Sequence, residues 1–334
     1  MGKSATVFPA ADFDSEADAK ALREAFKGFG TDEATVIDVL VNRSNEQRRQ
    51  IAATFKTMYG KDLMKELKSE LRGNFEDVVV ALMTDPVEFQ AKELHHAISG
   101  LGTDEITIVE ILGVYDNEAV VNIGNAYEGL YQTSLEADIK GDASGHLKRL
   151  LVSLANGHRD ESDQVDEEAA RGDAQALLQA GELLFAGTDE SVFNMILCQR
   201  NRAQLRRIFH EYEEITGHSI EQAVENEFSG TVKDSLLQLV HCVRDPVEFL
   251  AARLHDAMAG IGTDDRTLIR IVVARSEIDL GEIKEVYEAK YGKSLAERIE
   301  VGGLPIGRLM PLILANFQQD CSGDYKRTLV AIVS

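Results

Sequence analysis

Tryptophan is absent from this chain, and among its 334 residues there are only three cysteines and five prolines. Cys198, Cys242 and Cys321 are odd in number and form no CxxC pair, which argues against a disulfide framework and fits buried, reduced thiols in a cytosolic protein. No apolar run approaches the roughly 20 residues needed to cross a bilayer. The first residues lack a basic region followed by an apolar stretch, so no secretory signal is expected. Basic residues are also scarce: 35 Lys and Arg stand against 57 Asp and Glu, for a net charge of -22. Such a chain has no generic attraction for nucleic acid or an anionic membrane, and a partner of that kind needs a cationic bridge. Sustained strand alternation is missing too, while turn glycines separate helix-periodic segments throughout, so the chain reads as all-α.

What the sequence does contain is a signature repeated four times: Gly30-Thr31-Asp32-Glu33, Gly102-Thr103-Asp104-Glu105, Gly187-Thr188-Asp189-Glu190 and Gly262-Thr263-Asp264-Asp265. The threonines recur at similar intervals along the whole chain, which predicts four copies of one unit packed into one body. A remote acid followed three positions later by glycine answers each signature. The interval from Thr31 to Glu70 is repeated without change from Thr103 to Asp142 and from Thr188 to Glu227, whereas the interval from Thr263 to Asp320 is longer. The last unit has therefore gained an insertion, at about 300–319.

Repeat 1 predicts five helices. The first follows Ser15, whose hydroxyl is placed to cap it; the second follows Thr31 as cap; a third runs from Asn45 to Tyr59-Gly60; a fourth carries Leu63 to Gly73; a fifth starts at Phe75 and stops at Asp85-Pro86. The phrase Asp-Pro-Val-Glu-Phe closes repeats 1 and 3. This predicts a tail at 1–13, repeat 1 at 14–86, repeat 2 at 87–157, an exposed polar linker at 158–172 that halves the body, repeat 3 at 173–245 and repeat 4 at 246–334.

In Phe26-Lys27-Gly28-Phe29-Gly30-Thr31, two glycines permit positive φ, so a helix-to-helix loop can aim several carbonyls one way. Calcium takes six to eight oxygens, carbonyls included, and Glu70 is the acid able to close such a site. Simple helix capping would explain glycine and threonine but demands no distant acid at a constant interval. The acidic pairs after each threonine, Asp-Glu in three copies and Asp264-Asp265 in the fourth, are better read as first-turn dipole charges than as ligands.

The motif Lys27 to Glu33, its partner Ser69-Glu70-Leu71-Arg72-Gly73 and four units of this size resemble the annexin family over residues 14–334. The resemblance implies five-helix repeats in a curved disc and calcium-dependent binding to anionic phospholipid such as phosphatidylserine, in membrane organisation or trafficking, peripheral on membranes when calcium rises. It further implies metal ligands at Phe26, Gly28, Gly30 and Glu70, at Ile98, Gly100, Gly102 and Asp142, and at Met258, Gly260, Gly262 and Asp320. Repeat 3 departs, with Phe185 where the first paired glycine would fall, although Gly187 and Glu227 persist. Phe185 either inserts at a lipid interface or packs in the core. In repeat 4 the insertion either loops out, leaving Asp320 to close the site, or displaces the last helices and abolishes it; its apolar stretch Leu309 to Phe317 is read as core packing before membrane contact. The family's tail carries partner specificity, so a protein partner is expected there.

Rival chemistries fail on residues. There is no HExxH or GxSxG; Tyr287 stands where a phosphate loop ending in Gly292-Lys293-Ser294 needs glycine; the EF-hand template from Asp12 meets Ala17 and Arg23 where it needs Gly and Glu. No enzyme is expected. The alternative is a calcium-independent helical interaction scaffold, which has no use for the acids. Glu93, Glu110, Arg270 and Asp279 match charged positions of the family's polar pore, with Tyr115 where a base is usual, but read as structural ion pairs. Met1 to Thr6 fits the loose myristoylation pattern, one chain of which anchors only marginally.

Overall fold

The computed structural model describes residues 4–28, 30–100, 102–183, 188–260, 262–301 and 323–334. Among them every regular element is helical. Repeat 1 comprises α1 (Ser15–Ala25), α2 (Glu33–Val41), α3 (Asn45–Tyr59), α4 (Leu63–Glu70) and α5 (Gly73–Met83). Repeat 2 comprises α6 (Pro86–Ser99), α7 (Glu105–Val114), α8 (Asn117–Tyr131), α9 (Leu135–Asp142) and α10 (Gly145–Ala155). Repeat 3 has α11 (Glu167–Ala180), α12 (Glu190–Gln199), α13 (Arg202–Thr216), α14 (Ile220–Glu227) and α15 (Gly230–Arg244). In repeat 4, α16 (Pro246–Ala257), α17 (Asp265–Arg275), α18 (Leu280–Tyr291), α19 (Leu295–Val301) and α20 (Gly323–Val333) are described.

Helix starts differ from the sequence reading in two instructive places. Asp14, not Ser15, caps α1 by accepting the Glu16 and Ala17 amides, and the Ser15 hydroxyl instead accepts from Thr54. Asp32, not Thr31, caps α2, which releases the threonine for another bond. An aspartate reaches the free amides of a first turn and adds charge at the positive end of the helix dipole, so it outcompetes the neighbouring hydroxyl. The Asp-Pro phrase also belongs to the next unit: Pro86 and Pro246 open α6 and α16, as a residue without an amide hydrogen readily does at a first helical position.

The chain forms two compact units, Met1–Pro86 with Leu250–Ser334, and Val87–Phe249. The division does not fall at the linker as the sequence suggests, because repeat 1 pairs with repeat 4 and repeat 2 with repeat 3. In the first unit α5 packs on α17 and α2 on α20. Arg48, only 1% exposed, donates to the carbonyls of Leu40 (2.7 Å) and Leu82 (3.0 Å) and lies 3.5 Å from Glu277, tying α2 and α5 to repeat 4. In the second unit α7 packs on α15 and α11 on α13 over a core that includes Leu94, Ile108, Tyr127, Phe193, Phe209 and Leu239. Full burial of side chains of this size stabilises by about 1.5–3 kcal/mol each.

The linker is shorter and better held than expected. Helix α11 begins at Glu167, so Glu167 to Gly172 are helical. Before it, Asn201 Nδ2 donates to Asp160, Ser162 and the Gln164 carbonyl, and Gln204 clamps Asp166 through two bonds of 2.8 and 2.9 Å. The amino-terminal segment is held the same way. Gln47 clamps Ala10 through bonds of 2.9 and 3.0 Å, Thr6 and Val7 amides donate to the Ser276 carbonyl, and the Gly281 amide donates to the Ser4 carbonyl at 2.5 Å.

Candidate metal sites

Each site grows from a loop closed by one backbone bond. The amides of Asp32, Asp104 and Asp264 donate to the carbonyls of Ala25, Ala97 and Ala257 at 2.7–2.9 Å, and the Asp189 amide donates to the Ala180 carbonyl at 2.7 Å. Repeat 3 therefore spans two more positions between the same anchors. The tight closure demands left-handed backbone: Gly28 and Gly30 have φ of 107° and 93°, Gly102 87°, and Gly260 and Gly262 93° and 92°. Gly100 is the exception and lies outside that region; a Cβ there would sit 3.5 Å from the Gly102 carbonyl.

The remote acids arrive through the freed threonines. Thr31 Oγ1 donates to Glu70 Oε2 at 2.9 Å, Thr103 Oγ1 to Asp142 Oδ2, and Thr188 Oγ1 to Glu227 Oε2 at 3.0 Å. Glu70, Asp142 and Glu227 are each the last residue of α4, α9 and α14. One carboxylate oxygen of each is thus held against its loop by the threonine. Among the described residues no three His, Cys, Asp or Glu side chains gather as a metal cluster. A cation here would depend on the carbonyls of Phe26, Gly28 and Gly30 with Glu70, or of Ile98, Gly100 and Gly102 with Asp142. This all-oxygen set with one carboxylate fits a hard divalent ion of calcium type, and space is open beside the positive-φ glycines, where an added Cβ would meet nothing within 4 Å.

Local electrostatics point the same way. Burial raises the Glu105 carboxyl, and the negative charges of Asp104 and Asp142 push it up further. Glu33 and Glu70 line one cleft with Arg72 and Asp324. The sequence alone assigns neither first-turn glutamate to a site, and only the fold shows Glu105 in the field of Asp142.

The other two loops differ. Gly187 and Phe185 lie outside the described residues, but Glu227 does reach Thr188, and Gly181 packs so closely that a Cβ would lie 3.5 Å from Glu227 Cγ. His218 Nε2 lies 3.0 Å from Glu182, which the sequence reading does not single out. In repeat 4, Asp320 and the 300–319 insertion from residue 302 onward lie outside the described residues; the Thr263 hydroxyl is buried with no hydrogen-bond partner among those described. The Met258 carbonyl accepts from Arg298 Nη2. Among the charged positions compared with a pore, Glu93, Glu110 and Arg270 are buried, and Asp279 pairs within its own repeat with Arg275 at 2.5–2.7 Å.

No described helix is long and apolar enough to cross a membrane. The family model described as Annexin matches residues 17–82, 89–154, 172–239 and 249–302. Human annexin A11 is 47% identical over 332 residues, 99% of this chain and 62% of that protein. Human annexin A13 is 43% identical over 321 residues, 96% of each chain. The chain spans about three fifths of the annexin A11 and annexin A7 relatives it matches. Among solved structures, annexin III superposes with a TM-score of 0.91 at 42% identity, covering 99% of this chain and 97% of that one. The calcium-bound annexin (Sm)1 superposes at 0.80 with 30% identity, covering 99% and 93%. With all four repeats matched by the family model and two such similar relatives aligned over nearly its whole length, this chain belongs to the annexin family.

Proposed function

We propose that this protein binds anionic phospholipid membranes of phosphatidylserine type in a calcium-dependent way, through the loops of repeats 1 and 2. Annexins as a family are calcium-dependent phospholipid-binding proteins. The observation that carries the finer reading is the threonine-to-acid bond, which holds Glu70 and Asp142 against loops that contain the positive-φ glycines Gly28, Gly30 and Gly102. Phe26, Gly28, Gly30 and Glu70 would hold one ion, and Ile98, Gly100, Gly102 and Asp142 another, with Glu227 of repeat 3 and Met258, Gly260 and Gly262 of repeat 4 as candidates of lower completeness. Calcium bound there supplies local positive charge and spare coordination positions for lipid phosphate or carboxylate oxygens. This protein's own part is to hold the carbonyls and acid in place before the ion arrives, so that little ordering cost falls on binding. A net charge of -22 otherwise repels an acidic bilayer. Several weak loops acting together multiply avidity, by roughly 10² or more. The place of action is the cytoplasm, at membrane surfaces involved in organisation or trafficking, and Phe8, 60% exposed in the amino-terminal segment, offers a contact for a protein partner. The function involves no catalysis.

The test is co-sedimentation with phosphatidylserine vesicles over a calcium titration, with chelator reversal. Binding that needs calcium and reverses supports the reading. Binding indifferent to calcium, or none at millimolar calcium, replaces it with the calcium-independent scaffold.

A further inference from the structure

Repeats 2 and 4 share an aromatic cluster beside their loops. In repeat 2, His95 stacks on Tyr131 with ring centroids 3.6 Å apart and reaches the Tyr127 hydroxyl at 3.1 Å; in repeat 4, His255 stacks on Tyr291 at 3.8 Å and lies 3.4 Å from the Tyr287 hydroxyl. The difference lies in the residue that completes the cluster, at one equivalent position in each repeat. Repeat 1 has Glu66 there, engaged by Arg23 and Lys61. Repeat 2 has Asp138, accepting from Tyr127 at 2.7 Å and Thr133 at 2.9 Å. Repeat 3 has Ala223, and repeat 4 has Arg298. The charge is reversed in repeat 4, and the guanidinium bridges cluster and loop, hydrogen-bonding Tyr287 and donating to the Met258 carbonyl.

We propose that Arg298 is a resident cation of the repeat 4 loop, holding the Met258 carbonyl and so making this loop far less responsive to calcium than those of repeats 1 and 2. The inference rests on the reading of the loops as calcium sites. Met258 corresponds to Phe26 and Ile98, whose carbonyls are candidate ligands; the equivalents of Arg298 in those repeats are the acids Glu66 and Asp138, which cannot donate to a carbonyl when ionised. The guanidinium takes one of the two lone pairs of the carbonyl, weakening it as a ligand, and its fixed positive charge nearby disfavours a second cation. His255 agrees with this placement, since burial lowers its pKa and the Arg298 charge lowers it further against the opposing effect of Asp256. The repeat 4 loop is then a surface whose backbone is set by the protein's own cation, and calcium dependence is divided unequally among the repeats.

The experiment uses the full chain carrying Glu70→Gln, Asp142→Asn and Glu227→Gln, so that the first three loops are weakened, with and without Arg298→Met. Calorimetric calcium titration is expected to show affinity at least about tenfold higher once the arginine is gone, the equivalent of one charged hydrogen bond. In chelator, with no calcium present, hydrogen exchange at the amides of residues 258–260 and 262–264 is expected to quicken in Arg298→Met. Unchanged calcium affinity or unchanged exchange overturns the proposal. Arg298→Gln carries the same test if the methionine variant does not fold. If the unmodified protein takes up no calcium at all, the proposed function fails; if it does and Arg298→Met changes nothing, only this inference fails.

Discussion

Thr31 Oγ1 donates to Glu70 Oε2 across 2.9 Å, joining the loop after α1 to the end of α4. The same relationship recurs for Thr103 with Asp142 and Thr188 with Glu227. It explains why the interval between threonine and acid is constant, because both ends are geometrically committed: one to a loop closure, the other to a helix terminus.

Removing the acid should matter more than removing its holder. Glu70→Gln is expected to raise the calcium needed for half-maximal vesicle binding several-fold without abolishing it, since other loops remain. Thr31→Val should cost about 0.5–1.5 kcal/mol at most, as one hydrogen bond, and shift the calcium midpoint less. Vesicle co-sedimentation and chemical denaturation separate the two effects; equal shifts for both variants would contradict the ligand role of Glu70.

Gly281 is where the amino-terminal segment docks. An added Cβ would lie 2.4 Å from the Ser4 carbonyl oxygen, a backbone atom that cannot swing aside as a side chain tip would. Gly281→Ala should therefore detach residues near Ser4 and expose the segment to limited proteolysis, at a stability cost of about 1–2 kcal/mol. A cleavage pattern identical to the parent protein would show that the segment accommodates the methyl group in place.

Arg48 holds repeat 1 to repeat 4 from a buried position, where burial pulls its pKa down to about 10. Arg48→Met should take the guanidinium donor from the Leu40 carbonyl and from the Leu82 carbonyl, which keeps its bond from Asn45 Nδ2, and destabilise the protein by about 2–4 kcal/mol. Urea unfolding measures this, and a loss under about 0.5 kcal/mol, the range of ordinary surface changes, would refute it.

Glu105 gives calcium-free stability a pH dependence. Burial, then the charges of Asp104 and Asp142, raises its folded pKa above the ordinary 4.5, so the folded state holds the proton more tightly. Its contribution is fully present below 4.5 and is lost as pH rises through the raised value. Thermal melts in chelator should show Glu105→Gln flattening this fall and more stable than the parent at neutral pH. Parallel pH profiles would remove Glu105 as the cause.

Cys198 and Cys242 are buried, and burial pushes the Cys198 thiol up to about 12. Both should resist alkylation in the folded protein and react only on unfolding, because the thiolate is the nucleophile. Peptide mapping after iodoacetamide treatment reads each site separately, and rapid labelling of Cys198 in the native state would contradict its burial.

The repeated Gly-Thr-Asp signature, helix periodicity and the absence of strand alternation already specify four all-α repeats, and equal spacing specifies three acids. These features are legible because capping, glycine backbone freedom and apolar periodicity act over a few residues and leave local marks. Asp14 and Asp32 escape notice as caps because hydroxyl and carboxylate neighbours compete for the same amides, and only the folded turn decides between them. The pairing of repeat 1 with repeat 4 is not legible at all. It rests on contacts such as Arg48 with Glu277, 229 residues apart, and no local pattern encodes which buried faces will meet. The Arg298 contact with Met258 and the nearness of Glu105 to Asp142 are likewise products of helices brought side by side. Sequence alone thus determined the repeating unit and its candidate oxygen ligands, through short-range chemistry; tertiary structure decided which charges face each loop, because electrostatic fields follow distance in space.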